Sequence, residues 1–75
     1  MISKEDYHRS SQKLGHNLRK IRLQKGLKQV EIAVATGLNR TYISRIETGK
    51  ARVTESLLET LCIGLRIKSS DLIEF

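Results

Sequence analysis

The segment Leu38–Lys50, LNRTYISRIETGK, combines two arginines, two threonines and a serine with only two isoleucines. On a helix, residues three or four apart lie on the same side, so Ile43 and Ile46 would face a core together. The opposite side would then carry hydroxyls and the forked, permanently charged donors of arginine. A helix that only filled a core would have leucines at such positions. The segment is therefore predicted to project into a groove of another molecule through Arg40, Thr41, Ser44 and Arg45.

A first helix is predicted ahead of this segment, over Ser11–Lys25. Leu14, Leu18 and Ile21 recur at intervals of four and three residues, which is the period of one helix face. Gly26 follows, and glycine is the usual residue just past a helix C-terminus. Residues 1–10 are polar without a clear period, so a frayed arm and an added helical turn both remain open.

A second helix is predicted over Lys28–Thr36, with an inward stripe of Val30, Ala33 and Val34. Gly37 ends it.

Three further helices complete the prediction. Asn39 is a strong N-cap for a helix over Arg40–Thr48, which Gly49 ends, and Thr54 caps the fourth helix. The apolar face of the fourth helix comprises Leu57, Leu58, Leu61 and Leu65, and a last short helix, capped by Ser69 or Ser70, carries Leu72, Ile73 and Phe75. The sequence thus predicts an all-α fold of five helices in a single domain spanning residues 1–75.

The formal charge of the chain is +6 over 75 residues, and it is concentrated in the middle of the sequence. Residues 9–52 contain eleven lysines and arginines and two acids, a net charge of +9, and the remaining residues sum to −3. A localised basic surface is typical of polyanion-binding proteins. The single cysteine, Cys62, is predicted to be a buried, inert thiol. Without a signal peptide or an apolar run of membrane length, the cytoplasm is the expected compartment.

Two short helices joined by a glycine-containing turn define the helix-turn-helix motif, whose second helix lies in the DNA major groove. The segment KQVEIAVATGLNRTYISRIETGK resembles the phage repressor and Cro-like helix-turn-helix family, and TESLLETLCIGLRIKSSDL resembles its fourth and fifth helices. The run LNRTYIS followed by IETGK is especially similar to controller proteins of bacterial restriction-modification systems. This resemblance covers roughly residues 14–72. It implies a small dimeric transcription regulator that binds a palindromic operator in double-stranded DNA.

The resemblance also assigns roles to individual residues. Arg40, Thr41 and Arg45 match base-reading positions, with Ser44 beside them, and arginine pairs bidentately with guanine, so guanine is expected in the half-site. Asn39 serves either as an N-cap alone or as a phosphate contact as well. Phosphate-binding positions are implied for Gln29, Asn39, Tyr42, Thr48, Lys50 and Arg52.

Two further sets of residues follow from the family and from the charge distribution. Arg22 and Glu47 match an ion pair that the family forms between its first helix and the end of its recognition helix. A homodimer is expected, and its interface is predicted at the near-neutral, apolar C-terminal end, at Leu65, Ile67, Leu72, Ile73 and Phe75. RNA polymerase is a further candidate partner.

Other classes of function fit the sequence less well. His8 and His16 are eight residues apart, with no glutamate or cysteine at metal-ligand spacing, so no metal site, catalytic residue or cofactor is expected. A basic amphipathic helix over Leu14–Lys25 could lie on a membrane surface, but a core helix explains the same period. Within the family, a phage repressor, an antitoxin and a chromosomal regulator remain open as alternatives to a restriction-modification controller.

Overall fold

The computed structural model describes residues 4–73, with side chains from residue 9 onward, and these residues form five α-helices joined by short turns. The prediction of five helices is confirmed, and no strand occurs in the described residues. The helices are α1 (Lys4–Gln24), α2 (Gln29–Thr36), α3 (Arg40–Glu47), α4 (Glu55–Leu65) and α5 (Ser69–Ile73).

Helix α1 begins earlier than the apolar stripe alone indicated. Residues 4–10 continue the helix, so for these residues the added helical turns are confirmed, and residues 1–3 lie outside the described residues. At 1.5 Å per residue the 21 residues of α1 extend about 32 Å. Leu14 and Leu18 are buried and Ile21 is half-buried, as the stripe predicted. Gly26, with φ of 69°, follows the end of α1 in the left-handed conformation.

The predicted inward stripe of α2 was wrong in two of its three residues. Val30 is 49% exposed and Val34 is 80% exposed, whereas Ile32 and Ala33 are buried. Helix α2 packs against α3 and against α4, so its buried side is the one centred on Ile32 and Ala33. Val30 and Val34 lie one turn apart on a neighbouring side that faces solvent.

Two of the predicted N-caps are present. The side-chain oxygen of Asn39 accepts a hydrogen bond from the backbone N–H of Tyr42 at 2.7 Å and thereby starts α3. The hydroxyl of Thr54 accepts from the N–H of Leu57 at 3.1 Å and starts α4. Each bond satisfies one of the backbone donors that a helix leaves unpaired in its first turn.

The cap of α5 differs from the prediction. The carboxylate of Asp71 accepts a hydrogen bond from the backbone N–H of Lys68 at 3.0 Å, and the N–H of Asp71 donates to the carbonyl of Lys68. Lys68 therefore precedes the helix, and Ser69 and Ser70 lie inside its first turn instead of capping it.

One hydrophobic core joins all five helices and holds α3 between α1 and α2. Helix α1 packs against α3 and α5, and α4 packs against α2 and α5. Cys62 was predicted to be buried, and it is half-buried at the edge of this core. Within residues 4–73, no helix combines the length and the apolar character needed to cross a membrane. The buried apolar residues are Leu14, Leu18, Ile32, Ala33, Ile43, Ile46, Ala51, Leu57, Leu61, Leu65 and Leu72.

Candidate nucleic-acid interface

Helix α3 has one fully buried side and one polar outer side. Ile43 and Ile46 are 0% and 1% exposed and fix the inner side in the core, as predicted. The outer side begins directly after the Asn39 cap, so its first residues stand at the end of the helix where the backbone N–H groups are concentrated. On this side, Arg40, Thr41 and Arg45 are exposed and Ser44 is half-buried, so the structure brings the four together on one helix face.

The turn between α2 and α3 determines the angle between these two helices. Gly37 has φ of 75°, a left-handed conformation that residues with a Cβ rarely adopt. The hydroxyl of Thr36 donates to the carbonyl of Ile32 at 2.8 Å, and the N–H of Leu38 donates back to that hydroxyl at 3.3 Å. The turn is therefore held by hydrogen bonds on both sides of the glycine.

A buried carboxylate fixes the other end of α3. The Glu47 side chain is only 2% exposed, and the Arg22 guanidinium binds it through Nε–Oε2 at 2.7 Å and Nη2–Oε1 at 3.1 Å. The amide Nε2 of Gln29 donates to the same Oε1 at 3.2 Å. Arg22 also donates through Nη1 to the carbonyl of Leu27 at 3.0 Å. The ion pair implied by the family resemblance is thus present, within a network that joins α1, α2 and α3.

The network keeps Arg22 charged. The hydrogen bond with Glu47 raises the pKa of the Arg22 guanidinium above its ordinary value, burial acts in the opposite direction, and the charge of Glu47 adds to the increase. Since Arg22 neutralises Glu47 inside the fold, this carboxylate does not place an uncompensated negative charge beside the polar side of α3.

Gly15 lets α1 approach the C-terminal end of α3. A Cβ at this glycine would lie 2.1 Å from the carbonyl oxygen of Ile46 and 2.9 Å from that of Glu47. One turn earlier on α1, the side chain of Gln12 packs on Gly49, which follows α3 with φ of 77°. The end of α3 is therefore set against the backbone of α1 itself.

The model of the helix-turn-helix domain family matches residues 13–74 of the chain. The chain belongs to the helix-turn-helix family.

Individual relatives of this helix-turn-helix protein include controller proteins, as the resemblance predicted. Control protein C.MunI from a Mycoplasma species is 41% identical over 61 residues, covering 80% of this chain and 82% of that protein. A hypothetical transcription factor from Neisseria meningitidis is 33% identical over 60 residues, and the match spans only 57% of its length. The solved structure of the restriction-modification controller C.Esp1396I, a tetramer with its natural 35-base-pair operator, superposes with a TM-score of 0.77 at 36% identity, covering 85% of this chain and 84% of that one.

The residues predicted to bind phosphate fall into two structural groups around the helix-turn-helix. Lys50 and Arg52 are exposed on the loop that follows α3. The side chains of Gln29, Asn39, Tyr42 and Thr48 make contacts within the helix-turn-helix itself. Tyr42 packs against the core, and Thr48 donates its hydroxyl to the carbonyls of Ser44 and Arg45. Gln29 bonds Glu47, and Asn39 serves as the cap of α3.

The predicted dimer residues do not form one exposed surface of the helix-turn-helix domain. Leu65 is 5% exposed and Leu72 is 0% exposed because both fill the core of their own chain, so they offer no surface to a partner and that part of the prediction was wrong. Ile67 is half-buried, Ile73 is 40% exposed, and Phe75 lies outside the described residues.

Sequence reasoning missed two structural features, one on α1 and one on α4. Gly15 lies in the interior of α1, where a glycine weakens the helix. Such a glycine in the sequence indicates that another part of the backbone approaches the helix closely at this position. Ile63, 71% exposed on the outer side of α4, was not among the predicted dimer residues, although its position two residues from both Leu61 and Leu65 placed it outside the core. No group of three metal-ligating side chains comes together in the described part of the chain.

Proposed function

We propose that this protein is a sequence-specific regulator of transcription that binds double-stranded DNA through α3. The observation that carries the proposal is the polar side of α3, whose two exposed arginines are held on a helix fixed at both ends. Asn39 caps the first turn, and Glu47 is bound by Arg22 and Gln29 at the last. A recognition helix needs such fixed geometry because bidentate base contacts tolerate little displacement.

The two classes of contact have different consequences. Lys50 and Arg52 on the loop after α3 would bind phosphates and contribute affinity that falls with salt, without reading sequence. Arg40, Thr41 and Arg45 would reach base edges and supply selectivity, each good arginine–guanine pair contributing about 1–3 kcal/mol of discrimination. The position of the operator relative to a promoter, together with contact with RNA polymerase, would decide whether the protein activates or represses transcription. Such a regulator performs no catalysis and resides in the cytoplasm with its DNA.

We further propose that the protein is a homodimer and a restriction-modification controller. Helix-turn-helix proteins bind paired half-sites about one DNA turn apart, which requires two recognition helices related by a two-fold axis. The controller C.Esp1396I, similar to this chain over most of its length, assembles as a tetramer on its operator. Ile63, Ile67 and Ile73 are apolar residues of the C-terminal helices and their connection, and each remains at least partly accessible. These three replace the buried Leu65 and Leu72 as the proposed dimer surface.

The decisive experiment is selection of binding sites from random duplexes by the full chain, with wild type and Arg45→Ala in parallel. The wild type is expected to enrich a two-fold symmetric motif, and Arg45→Ala is expected to relax one guanine in each half-site while leaving the rest unchanged. Absence of any enriched motif would overturn sequence-specific binding. A motif without symmetry would overturn the dimer.

A further inference from the structure

Helix α1 carries a concentration of positive charge that the proposed contacts leave unused. From Arg9 to Val30 the chain contains seven lysines and arginines and no acid. Of these seven, Arg22 is bound to Glu47, and the others are exposed. Like charges on neighbouring turns of a helix repel one another, and the two acids of α1, Glu5 and Asp6, both precede this stretch. A polyanion bound beside α1 would relieve the repulsion.

Among the exposed members of this set, Arg19 borders the end of the recognition helix. It stands one turn after Gly15, where a Cβ would collide with the carbonyl oxygens of Ile46 and Glu47. Arg19 and Glu47 line a common cleft between α1 and the end of α3, together with His16, Lys20 and Leu23. Arg19 therefore lies on the side of α1 that borders α3.

The same cleft adjoins the N-terminus of α2. Glu47 accepts a hydrogen bond from Gln29, the first residue of α2, so the start of that helix and the end of α3 meet at this carboxylate. A helix N-terminus favours anions through its unpaired N–H groups and its dipole. In the proposed function this side of the molecule faces DNA, where a backbone phosphate would approach the start of α2.

The charges around Arg19 favour an external anion over an internal partner. Arg22 already neutralises Glu47 through two hydrogen bonds, and within the described residues Arg19 forms no ion pair of its own. The remaining titratable neighbours in the cleft, His16 and Lys20, are not acids. The exposed guanidinium of Arg19 is thus a cation next to an anion-attracting helix end.

We propose that Arg19 binds a DNA backbone phosphate adjacent to the one that approaches the N-terminus of α2, so that α1 is a third element of the DNA-binding surface. This inference rests on the proposed function, since it assumes that α2 and α3 face DNA. It assigns to Arg19 affinity without sequence selectivity, because a phosphate carries no base identity.

The test compares wild type, Arg19→Gln and Lys68→Gln. Lys68 is also exposed, but it lies before α5, so its variant makes the same change in net charge away from the cleft. Dissociation constants would be measured by fluorescence anisotropy over a series of potassium chloride concentrations, with an operator duplex from site selection and a random duplex of equal length. Urea unfolding of each variant would verify that the fold is retained.

Each phosphate contact contributes about 0.9 to the slope of log affinity against log salt concentration, and a dimer has two copies of Arg19. The slope for Arg19→Gln is therefore expected to be shallower than that of the wild type by about 1.8 on the operator. Lys68→Gln is expected to keep the wild-type slope. Ethylation interference on the operator should show one phosphate per half-site that matters for wild type and for Lys68→Gln but not for Arg19→Gln.

Three outcomes would overturn the inference. The slope and the interference pattern of Arg19→Gln could match those of the wild type, or Lys68→Gln could lower the slope equally, which would indicate a net-charge effect. A relaxed base preference without a change in slope would mean that Arg19 reads sequence. If wild type enriched no operator, the proposed function would fail, and an unchanged slope on random DNA would then separately exclude the Arg19 contact.

Discussion

Arg22 of α1 and Glu47 at the end of α3 are joined by two hydrogen bonds, of 2.7 Å and 3.1 Å, in a position where the carboxylate is almost completely buried. The pair links residues 25 positions apart in sequence. Gln29 binds the same carboxylate from α2, so three helices depend on one side chain for their relative placement. The position of the recognition helix is therefore determined partly by a polar network that never needs to touch DNA.

Removing one partner of the Arg22–Glu47 ion pair should destabilise the protein strongly. Arg22→Met leaves the Glu47 carboxylate buried without its ion partner, and the expected loss in free energy of unfolding is about 3–5 kcal/mol. The milder Glu47→Gln keeps a side-chain oxygen that can accept from Arg22 and Gln29, so its loss should be smaller. Urea unfolding measures both.

The double variant Arg22→Met/Glu47→Leu is the control for this interpretation. Because replacing both charges with apolar groups removes the unpaired carboxylate, the double variant should be more stable than Arg22→Met. If Arg22→Met unfolded at the wild-type urea concentration, the pair would have no role in stability.

The close crossing of α1 and α3 predicts a large effect of a single methyl group. Gly15→Ala would force a Cβ into the carbonyl oxygen of Ile46, and backbone atoms cannot move aside as a flexible side chain can. The expected destabilisation is about 1–3 kcal/mol, accompanied by weaker operator binding because the end of α3 shifts.

Gly26→Ala is the matched control for Gly15→Ala. A Cβ at Gly26 meets no atom within 4 Å, but its φ of 69° is strained for alanine. It should therefore lose about 1–2 kcal/mol of stability while retaining wild-type operator affinity once folded. Equal affinities for Gly15→Ala and Gly26→Ala, measured well below their unfolding transitions, would show that the crossing does not position α3.

The helices and the outer side of α3 could be predicted because each depended on local signals. Gly37 and Gly49 mark turns where φ is positive, and Asn39 caps the helix that follows it. Ile43 and Ile46 are the only aliphatic residues of α3, so one face of this helix was clearly indicated as the inner one. Once these two residues faced inward, the opposite side followed directly.

The buried side of α2 and the hydrogen-bond partner of Gln29 could not be predicted in this way. Five of the eight residues in QVEIAVAT are apolar, so several arcs fit a helical period and the choice depends on where α3 and α4 pack. The prediction placed Val30 and Val34 inward together with Ala33, but Ile32 and Ala33 are the buried residues. The contact of Gln29 with Glu47 likewise depends on tertiary packing, since the two residues are 18 positions apart.

The exposed isoleucines at the C-terminal end predict a monomeric variant. Ile63→Lys places a charge on a side chain that is 71% exposed in the single chain, so the fold should tolerate it while a dimer buried there should not. Size-exclusion chromatography with light scattering should show the wild type as a dimer and Ile63→Lys as a monomer. Val34→Lys on α2, where the valine is 80% exposed, should remain dimeric. A dimeric Ile63→Lys would place the interface elsewhere.

The raised pKa of the Cys62 thiol predicts that the folded chain loses stability at high pH. Burial raises the pKa of its thiol above the ordinary value of 9.0, and the charge of Asp71 acts in the same direction. Below that ordinary value both the folded and the unfolded chains keep the proton. Above about pH 9 the unfolded chain releases it more readily, so the contribution to stability is lost as pH rises through the folded pKa.

Comparison with Cys62→Ala isolates this effect from the titration of lysines and tyrosines. The difference in free energy of unfolding between wild type and Cys62→Ala, from urea unfolding at neutral and alkaline pH, should shift against the wild type as pH rises. The same burial should make Cys62 react more slowly with iodoacetamide in the folded chain than in urea. A difference independent of pH would contradict the raised pKa.

Base contacts and phosphate contacts should separate when two cations near the interface are removed one at a time. Arg40→Ala removes a donor from the first turn of α3, and the expected loss on the operator is about 1–3 kcal/mol with little change on random DNA. Lys50→Gln removes a charge from the loop after α3, so affinity should fall similarly on both duplexes and the salt slope should decrease. Anisotropy titrations with the two duplexes measure both effects. If Arg40→Ala weakened both duplexes equally, Arg40 would bind phosphate, and the base-reading surface would be reduced to Thr41, Ser44 and Arg45.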